Sequence, residues 1–459
     1  DWSGFSDEMM TYCVRDVKLN TAVFRILAKE LNELAAKQPN ISNGLRAEME
    51  TAKFDAYCRH YGWKFDMESG AALAAKLVIE MSDIEKVIEP NLPDVIRYKD
   101  KVAKTPKFTK KGEYTATTAR MLTEYLNRPV GIKDTHLFSA GKEFQRKTVV
   151  KANLGNMEQV KEYLYSIGWE PDDWKVVKTD YGWQKTTPKL TSTSLAKVGE
   201  HGVLIDNWTT LRSRMGVVKG WFRELKNGRL HGRLWVVGTP TFRCRHEVIA
   251  NLPAATATLG KELRQLLVAE EGRKIVGADS SGNQFRSLAH YVNSPYLFGA
   301  GAAKLGQVLS GKKSAKVGTE SMEKYGDAIP GLKVLREKIE SIWKVTSGQG
   351  NVEGYVPGLD GRRVYTPQPY QTLNYLLQCC EAVTTKSAVA YQMKKIKCEG
   401  LDAEPRLYYH DEVAWSVADK DADRVLEILV ESFAEGPKNV GVDIMAGEGS
   451  IGNNYAEVH

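Results

Sequence analysis

The sequence has 459 residues, of which 42% are hydrophobic, 26% charged and 9% aromatic. This length exceeds that of one ordinary core, so roughly two to four lobes are expected, and the composition excludes a disordered or collagen-like chain. Lysine and arginine outnumber aspartate and glutamate by 64 to 57, a surplus too small to indicate a polyanionic partner by itself. A helix that crosses a membrane needs about twenty apolar residues in a row, and no run in this sequence approaches that length, so no membrane partner is expected.

The cysteines and the first residues bear on the compartment. The six cysteines form no C-x-x-C pair, and none has a histidine at zinc-site spacing. They are too few for a disulfide scaffold, which favours a reducing compartment. The chain opens with DWSGFSDEMM, which has neither the pattern of a signal peptide nor an initial methionine, so we expect a segment upstream.

Two long helices and a basic segment are predicted in the first quarter of the chain. Apolar residues recur every fourth position from Leu19 to Leu31, and Ser6 is a suitable N-cap, which predicts a helix over 6–34. A second helix, ending near Pro90, is predicted by the apolar stripe Leu73, Leu77, Met81, Ile84 and Ile88. An exposed basic loop is predicted to follow, with Arg97, Lys99, Lys101, Lys104, Lys107, Lys110 and Lys111. This loop is either a solvated face or a phosphate-binding surface.

From Leu230 onward, β-prone segments alternate with helical ones and predict a mixed α+β region with an antiparallel sheet. In RKIVGADSS, an apolar strand delivers Asp279 to a Ser-Ser-Gly break. In RLYYHDEVAWSV, two strands flank His410, Asp411 and Glu412, which would lie at a hairpin tip. Acidic residues at such a tip are often only turn formers. Two carboxylates on neighbouring strands can also hold two Mg²⁺ ions about 4 Å apart for phosphoryl transfer.

Several motifs follow one another in a fixed order. They are D-x-S-G-x-x-x-R from Asp279, GLDGRRV, N-x-x-x-Q from Asn374, and the HDE triplet. YCVRDV near the start, GTPTFRCRHEVIANLP before Asp279 and LFGAGAAKLGQVL after it extend the pattern over nearly the whole chain. In this order the motifs resemble the polymerase domain of family A (Pol I-type) DNA polymerases, above all the replicative enzymes of T-odd phages.

The resemblance implies an α+β, right-hand polymerase fold: a palm with an antiparallel sheet, a helical thumb and fingers, and an N-terminal remnant of a 3′→5′ exonuclease domain. The implied domains are the exonuclease remnant at 1–33, the thumb at 34–229 with a basic insertion at about 90–144, the first part of the palm at 230–291, incomplete fingers at 292–355 and the second part of the palm at 356–459. Tyr12 and Asp16, one helical turn apart, resemble the third exonuclease motif. The first two motifs are absent, so the chain as given would not proofread.

The resemblance also implies a template-directed DNA polymerase, which extends a primer 3′-hydroxyl with dNTPs and releases pyrophosphate. Asp279 and Asp411 would bind two Mg²⁺ ions, and the backbone carbonyl of Ser280 would complete the metal shell. Glu412 would be an auxiliary catalytic acid beside them, and His410 would lie near the primer terminus.

Further residues would contact the substrates. The implied nucleotide-binding residues are Ser281, Gln284 and Phe298. The implied DNA-binding residues, besides His410, are Arg243, Arg245, Arg362, Arg363, Asn374 and Gln378. Amide and guanidinium donors can check base-pair geometry in the minor groove without reading sequence. Asn374 and Gln378, four positions apart, could equally be the polar stripe of a helix.

Three motif positions depart from the family pattern. Gln284 stands where the family has the glutamate that lines the sugar pocket, so size is kept and charge is lost. Steric exclusion of ribonucleotides is expected to survive. Phe242 replaces the glycine of Thr-Gly-Arg, which leaves open whether Arg243 or Arg245 contacts the primer. Phe298 replaces a tyrosine and keeps the stacking ring without its hydroxyl.

A larger departure lies between His290 and Leu297, where the six residues YVNSPY replace several tens, including most of the helix that binds the triphosphate. Either residues are missing from the sequence near Pro295, or a genuine deletion has left a catalytically impaired, DNA-binding replisome subunit. A single-subunit RNA polymerase is another alternative, because it shares the palm and its two aspartates. Glu412 and the YCVRDV segment argue against it.

The resemblance also predicts partners and location. Primer-template DNA and dNTPs would be the substrates. In phage relatives an insertion in the thumb captures a host processivity factor, and the segment at about 90–144 stands in the corresponding place. This segment could recruit such a partner, clamp DNA directly, or merely connect helices. The expected location is the cytoplasm, that of the host if the protein is phage-encoded.

Overall fold

A computed structural model of the protein describes residues 4–179, 182–249, 252–292, 330–348 and 353–458. The chain forms two compact units. We call Asp1–Ala71 together with Val218–His459 the main unit, and the stretch Ala72–Val217 between these two segments the inserted unit. Among the described helices, none is both long and apolar enough to cross a membrane.

Helices and strands are numbered in chain order over the described residues. The helices are α1 Asp7–Lys37, α2 Asn40–Tyr61, α3 Met67–Ile88, α4 Ala116–Leu126, α5 Met157–Ser166, α6 Ser192–Leu195, α7 Glu200–Glu224, α8 Gly260–Gln265, α9 Asn283–Val292, α10 Pro330–Ser347, α11 Thr372–Glu399 and α12 Ala422–Glu435. The strands are β1 Trp63–Lys64, β2 Val95–Tyr98, β3 Lys147–Val150, β4 Trp174–Thr179, β5 Gly182–Pro188, β6 Arg229–Leu230, β7 Arg233–Trp235, β8 Arg245–Glu247, β9 Arg273–Ser280, β10 Gly354–Pro357, β11 Arg363–Thr366, β12 Ala403–Tyr409, β13 Glu412–Ala418 and β14 Gly447–Gly452. The predicted α+β class is confirmed.

Both predicted N-terminal helices are confirmed. Helix α1 begins after Ser6, whose hydroxyl accepts a hydrogen bond from the backbone N–H of Met9 (3.2 Å). Helix α3 ends at Ile88, just before a 3-10 turn that contains Pro90. The helices differ in packing, because α1 buries none of its residues whereas Leu77 of α3 is fully buried.

The main unit contains a four-stranded sheet in the order β12-β13-β9-β14, with all neighbours antiparallel. The predicted antiparallel sheet and the β12–β13 hairpin are thus confirmed. Strands β9 and β13 occupy the middle and are buried along nearly their whole length. Strands covered on both faces carry continuous apolar runs rather than alternating ones. This explains the near-absence of polar residues in KIVGA and EVAWSVA.

The core of the main unit is built by α2, α11 and α12 packed on this sheet. Phe54 of α2 meets Trp415 of β13 edge to face, with ring centroids 5.3 Å apart. Leu429 and Phe433 of α12 are buried in the same cluster. Helix α11 is buried over most of its length. It therefore lies in the interior of the unit, directly behind the strands that carry the predicted catalytic residues.

Among its described residues, the inserted unit has two separate hydrophobic cores. The larger core contains Leu164, Trp169 and Trp208, with contributions from α3, α5 and α7. The smaller core contains Tyr114 and Phe138 and surrounds α4.

The segment predicted to be an exposed basic loop is mostly irregular and exposed, as predicted, but it begins in a strand and contains one buried carboxylate. Strand β2 pairs with β3, and Asp100 is buried beneath ion pairs from Lys104 (2.7 Å) and Arg146 (2.8 Å). A buried carboxylate that gains two cationic partners can organise a chain rich in lysine. Five of the lysines remain exposed, namely Lys99, Lys101, Lys107, Lys110 and Lys111.

Glu270, just before β9, is a charged anchor of the main unit. Its carboxylate accepts hydrogen bonds from Arg229 Nη1 (2.5 Å), Arg406 Nη2 (3.0 Å) and Ser416 Oγ (2.8 Å). Burial opposes ionisation, but the charge of Arg406 and these hydrogen bonds outweigh it and lower the pKa of Glu270 to about 2. Because the folded-state pKa lies below the ordinary 4.5, this carboxylate stabilises the fold above that pH and less as pH falls towards 2.

We predict that Glu270→Gln lowers the free energy of unfolding by about 2 kcal/mol at pH 7, because it weakens hydrogen bonds to charged groups. Chemical denaturation at pH 7 and pH 3 measures the effect, and the difference from wild type should shrink at pH 3. Glu271→Gln is the matched control, since Glu271 is the exposed neighbour. Equal destabilisation by both substitutions would contradict the prediction.

Candidate active site

The register of the main sheet brings the predicted carboxylates together. Asp279 of β9 pairs directly with Glu412, the first residue of β13. The backbone N–H of Ser280 donates to the carbonyl of Asp411 (3.0 Å). His410 and Asp411 form the two-residue turn of the hairpin, with His410 in the left-handed region at φ 57°. The turn and the strand end therefore lie side by side at one edge of the sheet.

The fourth strand adds a carboxylate that was not predicted. Glu448 of β14 pairs with Asp279 on the side opposite β13. Directly opposed residues of antiparallel strands project from the same face, so Glu412, Asp279 and Glu448 follow one another across the sheet. Glu448 is exposed, and GEGSIG resembles an ordinary surface strand. Its position depends on a register that the local sequence does not reveal.

The negative charges at this edge act strongly on Asp411. Burial raises the pKa of Asp411, the charges of Glu381 and Asp279 raise it further, and the pKa reaches about 6 despite the opposing charge of Arg243. The site thus concentrates more negative charge than the protein alone neutralises well. Hard carboxylate oxygens in such a field could hold a divalent cation such as Mg²⁺.

Glu412 and Ser280 are both buried beside this edge. Glu412 is only 4% exposed, and its Oε2 accepts a hydrogen bond from the hydroxyl of Tyr455 (2.9 Å). The guanidinium carbon of Arg264 lies 4.6 Å from the centre of the Tyr455 ring. Tyr455 was not predicted as part of the site. It holds the Glu412 carboxylate in place from a segment close to the C-terminal end of the sequence.

Glu381 of α11 links two predicted substrate contacts. Its Oε2 accepts a hydrogen bond from Gln284 Nε2 of α9 (2.7 Å) and another from Arg243 Nη2. Glu381 is 2% exposed and was not predicted. The one available signal was a lone acidic residue among the small and apolar residues of QCCEAVTTKSAVA.

The two arginines of TFRCR have different surroundings. Arg243 forms an ion pair with Glu381. Burial lowers the pKa of His410, and the positive charge of Arg243 lowers it further. Arg245 has a side chain that is 60% exposed and lies over the Trp235 ring at 4.1 Å. Only Arg243 therefore lies within the carboxylate cluster, and this favours Arg243 for the contact with the primer.

His246 is a second histidine near the hairpin turn, and it was not predicted. Its ring centroid lies 5.6 Å from that of His410. Burial and the neighbouring His410 lower the pKa of His246 to about 4. Because the pKa of His410 is also lowered, both rings are neutral at pH 7. Neither ring then adds positive charge that would oppose a cation at Asp411.

Arg362, predicted to bind DNA, lies in a buried ion-pair network. Its guanidinium donates to Asp360 (2.7 Å) and to Glu48 of α2 (2.6 Å), and it stacks over the Phe242 ring at 4.6 Å. Its side chain is 10% exposed. A DNA contact stays a prediction for Arg362, while the geometry shows it bracing Phe242, the residue before Arg243.

Lys386 of α11 completes this network. Its ammonium donates to Glu48 (2.6 Å) and to the backbone carbonyls of Val236 and Phe242 (both 2.7 Å). Lys386 is fully buried, and burial of a charge is costly unless it is paired and hydrogen-bonded. The three bonds use all three protons of the ammonium. They fasten both ends of the segment 236–242 to α11.

The remaining predicted residues are spread over several elements. Arg363 stacks over Tyr355 at 5.0 Å, and Gln378 Nε2 donates to Asn374 Oδ1 (3.3 Å) on the exposed side of α11. The carbonyl of Ser281 accepts a hydrogen bond from Arg286 Nε (2.7 Å). Their roles stay predictions. Phe298 and the predicted gap near Pro295 lie outside the described residues.

Tyr12 and Asp16, predicted as an exonuclease remnant, lie one turn apart on α1. The Tyr12 side chain is 60% exposed, and Asp16 is half-buried. The structure places this pair on a different element from Asp279 and Asp411. Their role also stays a prediction.

Comparison with known proteins identifies relatives along the whole chain. No family model matches the sequence. The DNA-directed DNA polymerase of Escherichia phage T7 is 23% identical over 567 aligned residues, which cover 100% of this chain and 78% of that protein. The DNA-directed DNA polymerase of Enterobacteria phage T3 is also 23% identical, with the same coverage. DNA polymerase I of Pseudomonas aeruginosa is 24% identical, and the alignment covers 70% of this chain and 39% of that protein.

A solved structure shows the same architecture. The POL domain of Pol1 from M. smegmatis, in complex with DNA primer-template and dNTP, matches with a TM-score of 0.62 at 17% identity, over 89% of this chain and 70% of that one. This likeness confirms the predicted right-hand polymerase fold. The T7 alignment spans 567 residues against 459 in this chain, so the phage enzyme carries segments that are not in this sequence.

We predict that Lys386→Met lowers the free energy of unfolding by about 3–5 kcal/mol, because Glu48 and two carbonyls lose a buried cation. Methionine keeps the length of the chain but none of the donors. Chemical denaturation measures the loss. Lys397→Met is the matched control on the exposed side of the same helix, and a comparable loss in both variants would refute a structural role for the buried ammonium.

Proposed function

We propose that this chain, which belongs to the family A (Pol I-type) DNA polymerases, extends a primer 3′-hydroxyl with dNTPs on a DNA template and releases pyrophosphate. The observation that carries this proposal is the sheet register, which sets Asp279 of β9 beside the Asp411 turn. Two carboxylates at one sheet edge are what nucleotidyl transfer with two metal ions requires. The polymerase relatives that cover the whole chain support it.

The side chains at this edge fit Mg²⁺. Asp279 and Asp411 would hold two ions together with the carbonyl of Ser280, and bound ions would neutralise charge on the entering and leaving oxygens. The described residues contain no cluster of three or more His, Cys, Asp or Glu side chains placed to hold a metal. The remaining ligands would be water and substrate phosphates, which is usual for Mg²⁺. The raised pKa of Asp411 supports the fit, because a cation would relieve its repulsion from Glu381 and Asp279.

The other residues of the cluster orient the substrates. Glu412, fixed by Tyr455, would act as the auxiliary acid, and neutral His410 would pack near the primer terminus. Arg243 would donate a hydrogen bond to the base pair at the primer terminus, in the minor groove, where every base pair offers an acceptor. Gln284 would line the sugar pocket, and Ser281 would lie beside the incoming nucleotide.

We extend the proposal to the domains. Residues 34–229 would be the thumb, 230–291 and 356–459 the palm, 292–355 the fingers, and 1–33 the remnant of a proofreading exonuclease. The lysines that stay exposed within about 90–144 would bind DNA or a processivity factor through charge, and such binding weakens steeply with salt. The protein would act in the cytoplasm, that of a host cell if it is phage-encoded.

Two other functions have less support. The curated relatives that align with the whole chain are DNA-directed DNA polymerases, which disfavours a single-subunit RNA polymerase. A DNA-binding subunit without catalysis would not need Asp279 and Asp411 held together. Only the short segment near Pro295 favours such a subunit.

Primer extension tests the proposal. The protein, supplied with a labelled primer on a DNA template, Mg²⁺ and dNTPs, should lengthen the primer stepwise, and EDTA should stop the reaction. Asp279→Asn and Asp411→Asn should each slow extension by about a thousandfold or more, because each removes a charged ligand worth several kcal/mol in the transition state.

The matched control is Asp423→Asn, an exposed aspartate in the first turn of α12, which should extend at the wild-type rate. Extension that persists in both active-site variants would refute the metal assignment. Tight primer-template binding without extension by the wild type would replace the proposal with the DNA-binding subunit. Extension with rNTPs but not dNTPs would favour an RNA polymerase.

A further inference from the structure

Glu381 is a buried anion outside every motif that predicted the site. It is 2% exposed and lies on α11. Burying a carboxylate costs several kcal/mol unless good partners compensate. Its partners are two proposed substrate contacts, Gln284 at 2.7 Å for the sugar and Arg243 for the primer. The cluster is drawn from three separate elements, so its assembly is a property of the folded main unit.

We propose, building on the polymerase function, that Glu381 is a positioning residue for sugar selection, which holds Gln284 as a fixed wall of the nucleotide pocket. A side chain excludes a 2′-hydroxyl by steric contact only if it cannot rotate away. The amide of Gln284 donates to the carboxylate of Glu381. That carboxylate also accepts a hydrogen bond from Arg243 and is buried on α11. Locking the rotamer of a contact residue through a second hydrogen-bonded residue is how binding sites gain precision.

The same contact accounts for the missing charge at position 284. The family pattern has a glutamate there, and this chain has a glutamine. The structure places a carboxylate directly across the hydrogen bond from that glutamine. The pair therefore still carries one negative charge, shared with Arg243, but the charge is on the α11 side. Moving it back to position 284 would preserve the hydrogen bond and the net charge of the pair.

A simpler role for Glu381 would be that of a counter-ion for Arg243. In that case, loss of Glu381 would slow the insertion of dNTPs and rNTPs equally, because the protein would be less stable or the primer displaced. A positioning role for Gln284 has a different signature. Releasing the wall lets ribonucleotides enter more easily while deoxynucleotide insertion changes less. The ratio of the two kcat/KM values separates these roles.

The experiment measures single-nucleotide insertion with matched dNTP and rNTP on a primer-template, at fixed Mg²⁺. Glu381→Gln should lower the dNTP-over-rNTP ratio of kcat/KM about tenfold, mainly through a lower KM for the rNTP. Gln284→Glu alone places a second carboxylate against that of Glu381, and the repulsion should raise KM for both nucleotides. The double variant Gln284→Glu/Glu381→Gln restores one charge and one hydrogen bond, so its ratio should return to within about threefold of wild type.

Two further variants guard the interpretation. Glu381→Asp keeps the charge but shortens the side chain, so it should also lower the dNTP-over-rNTP ratio. It provides the test if Glu381→Gln folds poorly. Glu399→Gln, at the exposed end of α11, should leave the ratio unchanged. Melting temperatures of all variants report on stability independently of the ratio.

The outcomes distinguish a failure of the positioning role of Glu381 from a failure of the proposed polymerase function. An active wild type whose ratio is unchanged in both Glu381 variants overturns the positioning role alone. An equal loss with both sugars, without recovery in the double variant, leaves Glu381 as a counter-ion and also overturns it. A wild type that extends with neither nucleotide overturns the polymerase function and this inference together.

Discussion

The antiparallel pairing of β9 with β13 is the constraint on which the site depends. Side chains alternate between the two faces of a strand, so a slip of one residue would turn Asp279 away from Glu412 and from the Asp411 turn. The slip is opposed along the whole pair, where Val413 lies opposite Ala278 and Trp415 opposite Val276. All four are buried. The hydrophobic core thus sets the position of the carboxylates, because their mutual repulsion alone would drive them apart.

Helix α11 joins that edge to the interior through two buried charges of opposite sign. Glu381 faces the residues of the proposed pocket, and Lys386, further along the helix, faces Glu48 and the carbonyls of Val236 and Phe242. The segment that ends at Arg243 is therefore fastened to one helix before and after its bend. Buried hydrogen-bonded networks of this kind favour one arrangement over its alternatives. The position of Arg243 consequently follows from the packing of α11.

Much of this arrangement could be predicted from local sequence, and the missed parts share one physical cause. The Asp279 strand and the hairpin around Asp411 follow from apolar runs and turn residues, which act over a few positions. Glu381 is 97 positions from Gln284 and 138 from Arg243, and a lone glutamate in a helix does not indicate its partners. The burial of Arg362 could not be foreseen either, because its partner Glu48 lies 314 positions away. The burial of Asp100 within the lysine-rich run was missed for the same reason, since its partner Arg146 lies 46 positions away.

The interrupted chain path of the main unit has a consequence for biosynthesis. Phe54 packs against Tyr408 and Trp415, which leave the ribosome roughly 350 residues later. At about 5–20 residues per second, α2 waits roughly 20–70 s for its partners. The inserted unit is one continuous stretch, Ala72–Val217, and its contacts can form during that interval. A nascent chain would thus carry a completed central module between two unfinished ends, with the apolar face of α2 open to chaperones or to aggregation until β12 and β13 emerge.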